Sequence, residues 1–435
     1  MVRGSYMREV FAQVFSNLRA NKLRTFLTMF GILWGVISVV VLSATGEGFR
    51  RGNQHVLEEL GKNIAIVWGS RTSLQAGGQR AGRQIFLTIE DARALEREST
   101  MIDVVSPEIQ RGLNVKSAYN AASIGVTGIE PQYQAIRTLD VEHGRTFRFT
   151  DNEGALRVAI LGADSAKQLF ATRDAIGQRV ELNGLPYTVI GTLRKKDQDS
   201  NYSGPDNDKL FVPFAAMARD FPRLGVDPGV VNDIIIAPKP SVVAQYPGIL
   251  DQRTGRIQDI DWPLQREVRR ILARRHGFEP DDRRAIDVWD TSLESLMFER
   301  MIATMKSFFS MVGIITLALG GLGVMNIMLV AVRERTREIG VRKALGASMA
   351  HIQRQFFLEG FILTMMSGAI GFAAALILCT LVNLLPMPAR FQGMLLTWQA
   401  GTAAVAVLTV IGVITSTYPA RRAALLPPVE ALRFE

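Results

Sequence analysis

The sequence predicts an α-helical membrane protein with four transmembrane helices and a mixed α/β extracytoplasmic domain, in which α/β flanks surround a β-rich insert. Three observations predict this fold class: four long blocks without charge, a polar segment between the first two blocks, and lysine and arginine concentrated in the remaining connections. A mean hydropathy of +0.14 beside 21% charged residues indicates the same segregation of apolar and polar chain.

The four uncharged blocks are each longer than the about 20 apolar residues that cross the hydrocarbon core as a helix. They are residues 25–46, 307–332, 360–389 and 391–420. A buried helix of a soluble protein seldom runs so far without a charge, so we predict a membrane span in each block. The first block exceeds the about 7 to 15 apolar residues of a cleaved signal peptide, which favours an uncleaved anchor.

The lysine and arginine distribution predicts the orientation, because positive residues of short loops stay on the cytoplasmic side. These residues cluster before the first span, between spans two and three, and after span four, whereas the connection between spans three and four carries only Arg390. We therefore predict an inner-membrane protein with both termini in the cytoplasm and residues 47–306 in the periplasm.

The predicted organisation follows from these spans and from that orientation. In chain order it comprises a cytoplasmic amphipathic helix at 1–24, transmembrane helix 1 at 25–46, an extracytoplasmic domain with stalk helices at both ends at 47–306, transmembrane helix 2 at 307–332, a cytoplasmic coupling segment at 333–354, transmembrane helices 3 and 4 within 355–420, and a cytoplasmic tail at 421–435.

The net charge of +9 lies almost entirely in the predicted cytoplasmic segments, and the 260 residues of 47–306 are neutral overall. The basicity therefore reflects membrane topology, and nucleic acid is excluded as a partner. The single cysteine, Cys379, lies in the third span, so the external domain must be stabilised by its hydrophobic core rather than by internal disulfides.

Apolar residues at helical spacing predict further helices on both sides of the membrane. Before span one they predict the amphipathic helix, which lies on the inner membrane surface or packs on another subunit. The pattern also continues after span one to Leu60 and leads into span two from Leu293. These flanking segments are either two helices that leave the bilayer together as a stalk or separate short helices.

Within the spans, Gly31 and Gly35 form a GxxxG pair that lets another backbone approach, from span two or from a second copy of the chain. We predict helix-packing roles for Gly31, Gly35, Gly320, Gly321, Gly323 and Asn326.

The external segment predicts a mixture of strands and helices. Strands are expected at 63–68, 157–161 and 231–237, a capping box at Thr88 and Asp91, and a basic helix at 264–275. Residues 177–191 alternate around Asn183-Gly184, which is a strong hairpin signal.

Several kinds of chemistry are missing from the sequence. No segment matches the P-loop pattern, so ATP hydrolysis is expected from a partner. The four histidines lack metal-ligand spacing, and the acidic run at 197–201 lacks the glycine and terminal glutamate of a calcium loop. We predict no catalytic residue, no metal ligand and no cofactor.

The segment RERTREIGVRKALGAS, residues 333–348, alternates charge densely while keeping several apolar residues. One interpretation is a solvated helix held by Glu–Arg pairs three or four residues apart. The other is a helix that docks its apolar residues into a groove of another protein.

The stretch GGLGVMNIMLVAVRERTREIGVRKALGAS, residues 320–348, closely resembles the signature of FtsX-like ABC transporter permeases of the macrolide-exporter (MacB) type. The resemblance extends to NKLRTFLTMFGILWGVISVV from Asn21, to QFFLEG at 355–360, to YPARRAA at 418–424 and to the hairpin at 177–191. It implies a periplasmic core domain and an FtsX-like permease domain at 307–428.

The resemblance also implies partners. Permeases of this family form homodimers or similar heterodimers, bind two ABC ATPase subunits, and couple ATP hydrolysis to movement of the external domains by mechanotransmission. Because only 24 residues precede the first span, we expect the ATPase to be a separate chain. The matching positions implicated in ATPase coupling are Arg333, Glu334, Arg335, Arg337, Glu338, Ile339, Gly340, Val341, Arg342, Lys343, Leu345 and Gly346.

Three function classes remain open for such a permease. The leading class is efflux of a small molecule or peptide, with a membrane-fusion adaptor and an outer-membrane channel as further partners besides the membrane lipid. The second is release of lipoprotein or lipid from the membrane. The third is regulation of a cell-wall hydrolase without transport.

Overall fold

A computed structural model of the chain describes residues 22–428, except positions 62, 197–201, 224, 226, 228, 249–261 and 389. The predicted amphipathic helix up to residue 21, the acidic run at 197–201 and the tail beyond 428 lie outside the described residues. The chain divides into two compact units, one formed by Met1–Arg51 with Ile302–Glu435 and the other by Gly52–Met301.

Helices dominate the first unit, and both units share the two longest ones. In chain order the described helices are α1 Lys22–Leu60, α2 Ile89–Glu98, α3 Tyr133–Ile136, α4 Phe149–Glu153, α5 Ala163–Phe170, α6 Phe214–Asp220, α7 Pro240–Val243, α8 Pro263–His276, α9 Thr291–Glu334, α10 Thr336–Ala344, α11 Met349–Val382 and α12 Trp398–Leu425.

The four predicted spans lie in α1, α9, α11 and α12, which are the described helices long and apolar enough to cross a membrane. The four-span prediction is therefore confirmed. Helix α1 continues beyond Gly46 to Leu60, and α9 begins at Thr291, well before the uncharged block at 307–332. The helical pattern on either side of the external segment is thus continuous with the spans, and the alternative of separate short helices is wrong.

Glycines bring α1 and α9 into backbone contact within the first unit. A Cβ atom added at Gly31 would lie 3.0 Å from Cα of Gly320, and one added at Gly320 would lie 2.7 Å from the backbone of Gly31 and Ile32. Any larger residue would force the helices apart, because the atoms in the way belong to the main chain. The glycine pair therefore sets the distance between these two helices of one chain.

The second unit is built on a mixed sheet. In chain order its strands are β1 Ala65–Gly69, β2 Ile102–Lys116, β3 Ala121–Ile129, β4 Val141–Gly144, β5 Val158–Leu161, β6 Arg179–Leu182, β7 Leu185–Leu193, β8 Lys209–Pro213, β9 Asp233–Pro238 and β10 Ile286–Asp290. Strand β3 runs parallel to β8 and β5 runs parallel to β7, and the other pairs of these strands are antiparallel.

Part of this sheet closes on itself. Strand β2 pairs with β3, and the path continues through β8, β5, β7 and β6 back to β2. Strands β9, β1 and β10 extend the sheet from the other edge of β2. The mixed α/β fold class is confirmed, and the β-rich insert is a closed ring of strands.

The sheet separates two hydrophobic cores. In β1, Ala65 and Val67 join one core while Ile66 joins the other, and Ile234 and Ile235 of β9 divide in the same way. A strand covered on both faces has few positions for polar residues, which explains the continuous apolar runs of these strands.

The local predictions in this unit hold. Asn183 and Gly184 have φ of 44° and 87°, as a tight hairpin between β6 and β7 requires. The Asn183 side chain accepts a hydrogen bond from the backbone N–H of Asn114 at 2.9 Å, which fixes the hairpin to β2. Thr88 and Asp91 form the predicted capping box at the start of α2.

Candidate functional site

The charged segment after the second span forms the short helix α10, and specific backbone hydrogen bonds end this helix. Helix α10 closes with backbone hydrogen bonds from Gly346 to Lys343 and from Ala347 to Arg342, both 3.0 Å. This Schellman arrangement places Gly346 at a φ of 100°, where glycine is favoured. Ser348 then caps α11 by accepting from the N–H of His351. The segment is therefore a rigid connection between two helices.

One face of α10 packs inward within its unit. Ile339 is 2% exposed and Gly340 is buried. Lys343 donates to the carbonyl oxygens at the end of α12, including that of Leu426 at 2.8 Å, and the Arg335 guanidinium lies 3.5 Å from the Glu359 carboxylate. These residues of the predicted coupling set hold the turn in place.

The opposite face is exposed. The exposed members of the predicted set are Arg333, Glu334, Arg337, Glu338, Val341, Leu345 and Gly346. Leu345 is 84% exposed and Val341 is 43% exposed, and Met349 at the start of α11, which the sequence analysis did not select, is 59% exposed. Arg342 joins the two faces by donating to Glu338 at 2.5 Å and to Gln355 at 2.9 Å.

The predicted helix-packing residues fall into two groups. Gly31 and Gly320 face each other, a Cβ at Gly35 would meet Leu317, and a Cβ at Gly321 would meet Thr415 and Ile411 of α12. Gly323 is half-buried and Asn326 is exposed on α9. In general, amides inside membrane spans can form hydrogen bonds to a neighbouring helix.

In the α/β unit, two buried cations and a threonine hydroxyl cap the carboxyl end of α1. The Arg137 guanidinium donates to the Leu60 carbonyl at 2.6 Å, and the Lys196 ammonium donates to that of Glu59 at 3.1 Å. The hydroxyl of Thr138 donates to the Glu58 carbonyl at 2.9 Å. Cations at this position satisfy carbonyls that have no partner within the helix and favour the negative end of its dipole.

A buried carboxylate balances these cations. Asp206 accepts two hydrogen bonds from Arg137 at 3.0 Å and lies 3.4 Å from Lys196, and Arg137 and Asp206 are at most 1% exposed. Burial raises the pKa of Asp206, but the positive charges of Arg137, Lys209 and Lys196 outweigh it and hold that pKa below its usual value. The end of α1 is thus held by an ion cluster with no water-exposed member.

The start of α9 is fixed to the same sheet. Strand β10 ends at Asp290, whose carboxylate caps α9 by accepting from the N–H of Leu293 at 2.9 Å. The next residue, Thr291, donates to the Ile64 carbonyl from both its N–H and its hydroxyl, at 3.0 and 2.9 Å. Ile64 directly precedes β1, so the sheet holds both α1 and α9.

Sequence reasoning missed these contacts. Arg137 and Asp206 are remote in sequence from Leu60 and from each other, and no periodic pattern or short motif connects them. The one local signal is their chemistry: a charged residue amid apolar chain is either exposed or paired.

A second buried polar cluster lies between β2 and β9. Glu108 and Asp233 are paired directly across these strands and are 0% and 5% exposed. The Gln110 amide donates to both carboxyl groups, at 2.7 and 3.1 Å. Burial, and then the negative charge of Glu108, raise the pKa of Asp233 to about 8. Asp233 therefore retains its proton near neutral pH.

Four membrane-spanning helices, a large α/β unit attached to the first two of them and a charged turn after the second define a membrane permease subunit. The FtsX-like permease C-terminal family matches residues 310–428, and the MacB-like periplasmic core domain family matches residues 25–245. The chain belongs to the family of FtsX-like ABC transporter permeases with a MacB-like periplasmic core domain.

Two sequence relatives and one crystal structure are similar to this chain. The macrolide export ATP-binding/permease protein MacB of Shewanella oneidensis is 32% identical over 96% of this chain, which spans 59% of that protein's length. The uncharacterized ABC transporter permease YknZ of Bacillus subtilis is 30% identical, over 97% of each chain. The crystal structure of the periplasmic region of MacB from Actinobacillus actinomycetemcomitans aligns with 56% of this chain at 17% identity and a TM-score of 0.40.

Proposed function

We propose that this chain is a non-catalytic permease subunit that couples ATP hydrolysis by separate ATPase chains to movement of its α/β unit, and so drives efflux of a small molecule or peptide. One observation carries the proposal. Helix α9 is a single helix of 44 residues that starts directly after strand β10, and only Arg335 separates its end from α10. A displacement of α10 can therefore reach the sheet without passing through a flexible loop.

The exposed faces of α10 and α9 are the proposed binding sites for the ATPase chains and for a second permease copy. Two ATPase chains bind the exposed side of α10, where Val341 and Leu345 lie four residues apart amid charges. A second permease copy completes a dimer, with Asn326 of α9 at the helix interface. An adaptor and an outer-membrane channel carry the exported substrate onward from the permease. Both termini are cytoplasmic, because lysine and arginine cluster before the first span and after the fourth, and such clusters stay on the cytoplasmic side.

The ATPase contact is tested with Leu345→Asp in the full chain, purified together with the ATPase chains that co-assemble with it. We expect loss of the complex and of substrate-stimulated ATP hydrolysis, because the carboxylate cannot enter an apolar groove without losing hydration. The readouts are co-purification and ATPase rate.

The matched control is Leu384→Asp. Leu384 is 81% exposed but follows the end of α11, whereas Leu345 precedes its start. We expect this variant to behave like wild type. Unchanged assembly and ATP hydrolysis in Leu345→Asp would refute docking at α10.

A further inference from the structure

A small cavity of the α/β unit carries positive charge without a balancing carboxylate. It has a volume of about 170 Å³ and is bordered by Gly69 at the end of β1, by residues 84–87 ahead of α2 and by residues 230–232 ahead of β9. Two arginines line it, Arg111 of β2 and Arg223 in the segment after α6, and its described lining contains no aspartate or glutamate.

The first arginine is held in a fixed position. Nη1 of Arg111 donates to the Gln110 carbonyl at 2.7 Å and to Oδ1 of Asn232 at 3.1 Å. Its Nε is buried and has no acceptor among the described residues. Nη2 of Arg111 also has no acceptor among the described residues and, unlike Nε, is not buried, so it can donate to a group bound in the cavity.

The second arginine adds like charge. Partial burial, and then the positive charge of Arg223, lower the pKa of Arg111, and in the described part of the chain neither guanidinium forms an ion pair. An anion bound in the cavity would be attracted by both guanidinium groups.

We propose that this cavity binds a phosphate group. A dianion matches the two positive charges, and guanidinium groups bind phosphate oxygens through paired hydrogen bonds. Gln84 and Asn232 supply amides in the lining, and the 49% exposed ring of Phe86 supplies an apolar wall for what the phosphate carries. A cavity of about 170 Å³ is large enough for a phosphate group and small for a bulky molecule.

The proposal is tested on the full chain in detergent by calorimetric titration with inorganic phosphate. We expect saturable binding that weakens about tenfold or more in Arg223→Gln, which removes the charge of an exposed side chain, and in Arg111→Lys, which keeps the charge but loses the planar donor set. The control Arg270→Gln alters an exposed arginine of α8 and should bind as wild type does. Two outcomes would overturn the proposal: equal affinity in Arg223→Gln and wild type, or no saturable phosphate binding together with no stabilisation by phosphatidic acid in the second arm.

The second arm distinguishes the source of the phosphate. The same proteins are placed in nanodiscs containing phosphatidic acid or only phosphatidylcholine, and the shift in unfolding temperature is measured. A stabilisation by phosphatidic acid that is lost in Arg223→Gln identifies a phosphorylated lipid head group. Binding of inorganic phosphate without that stabilisation identifies the free ion. Neither arm depends on transport, so failure here leaves the proposed permease function intact.

Discussion

Among single residues, the buried Asp233, which faces Glu108 across β2 and β9, makes stability depend on pH. The pKa of Asp233 is about 8 in the folded chain, against 3.8 for an unperturbed aspartate, so the folded state binds the proton more tightly than the unfolded state. The resulting stabilisation is complete below about pH 4 and is lost as pH rises to about 8.

We therefore predict that Asp233→Asn reduces the fall in unfolding temperature between about pH 5 and about pH 9, because the amide cannot titrate. Asp290, whose pKa burial raises to about 7, retains a smaller contribution of the same sign. The measurement is thermal unfolding of the full chain in detergent. Asp103→Asn, an exposed carboxyl group on β2, is the control. A pH profile of Asp233→Asn identical to wild type would contradict the raised pKa of Asp233.

A second residue-scale prediction concerns Arg137, which joins the end of α1 to Asp206. Arg137→Met should destabilise the chain by about 3 to 5 kcal/mol, because it leaves a buried carboxylate short of its main partner. The exposed pair of Arg194 and Asp140, at 55% and 52% exposure, provides a comparison. Arg194→Met should change stability by about 1 kcal/mol or less.

Denaturant unfolding distinguishes these two arginines. If both variants lost equal stability, the ion cluster at the end of α1 would have no special role. Arg137→Lys refines the test, because lysine keeps the charge but cannot donate to the Leu60 carbonyl and to both Asp206 oxygens in the same planar geometry.

Among elements, the close crossing of α1 and α9 depends on glycine. Gly320→Ala places a Cβ 2.7 Å from the backbone of α1, so we predict a loss of about 1 to 3 kcal/mol as the helices separate. In Gly401→Ala the new Cβ meets only the Phe372 ring, at 3.8 Å, and we expect no loss. Thermal unfolding in detergent compares the two, and equal stability would show that α1 and α9 do not require this contact.

At the scale of the whole molecule, the proposed mechanism requires α9 to move with the α/β unit. Met301 is 49% exposed on α9, whereas Leu60 at the end of α1 is fully buried and unsuitable for cross-linking. We predict that Met301→Cys, in a Cys379→Ala background, forms a disulfide between the two copies of a dimer that stops transport until it is reduced.

Met301→Ser in the same background is the control and should transport under both redox conditions. The readouts are the cross-linked band and ATP-dependent transport in vesicles. Transport at the normal rate by a fully cross-linked dimer would exclude movement of these helices as the coupling mechanism.

The sequence by itself determined the four spans, the hairpin at Asn183-Gly184 and the cap at Thr88, whereas the structure decided that α1 and α9 continue beyond their spans. Each depends on neighbouring residues, since span length, helical spacing, turn conformation and capping are properties of a few turns of chain. The sequence also identified residues 333–348 as one charged segment. Their division into the packed face with Ile339 and the exposed face with Leu345 required the neighbouring helices to be in place.

Only the tertiary structure decided the closure of the β ring, the capping of α1 by Arg137 and Lys196, and the unbalanced arginines around the small cavity. These features join positions that are far apart along the chain, and charge pairing there depends on distance and burial rather than on sequence spacing. A charged side chain in an apolar stretch shows that a partner is needed, but the fold alone places Asp206 beside Arg137 and leaves Arg111 beside Arg223.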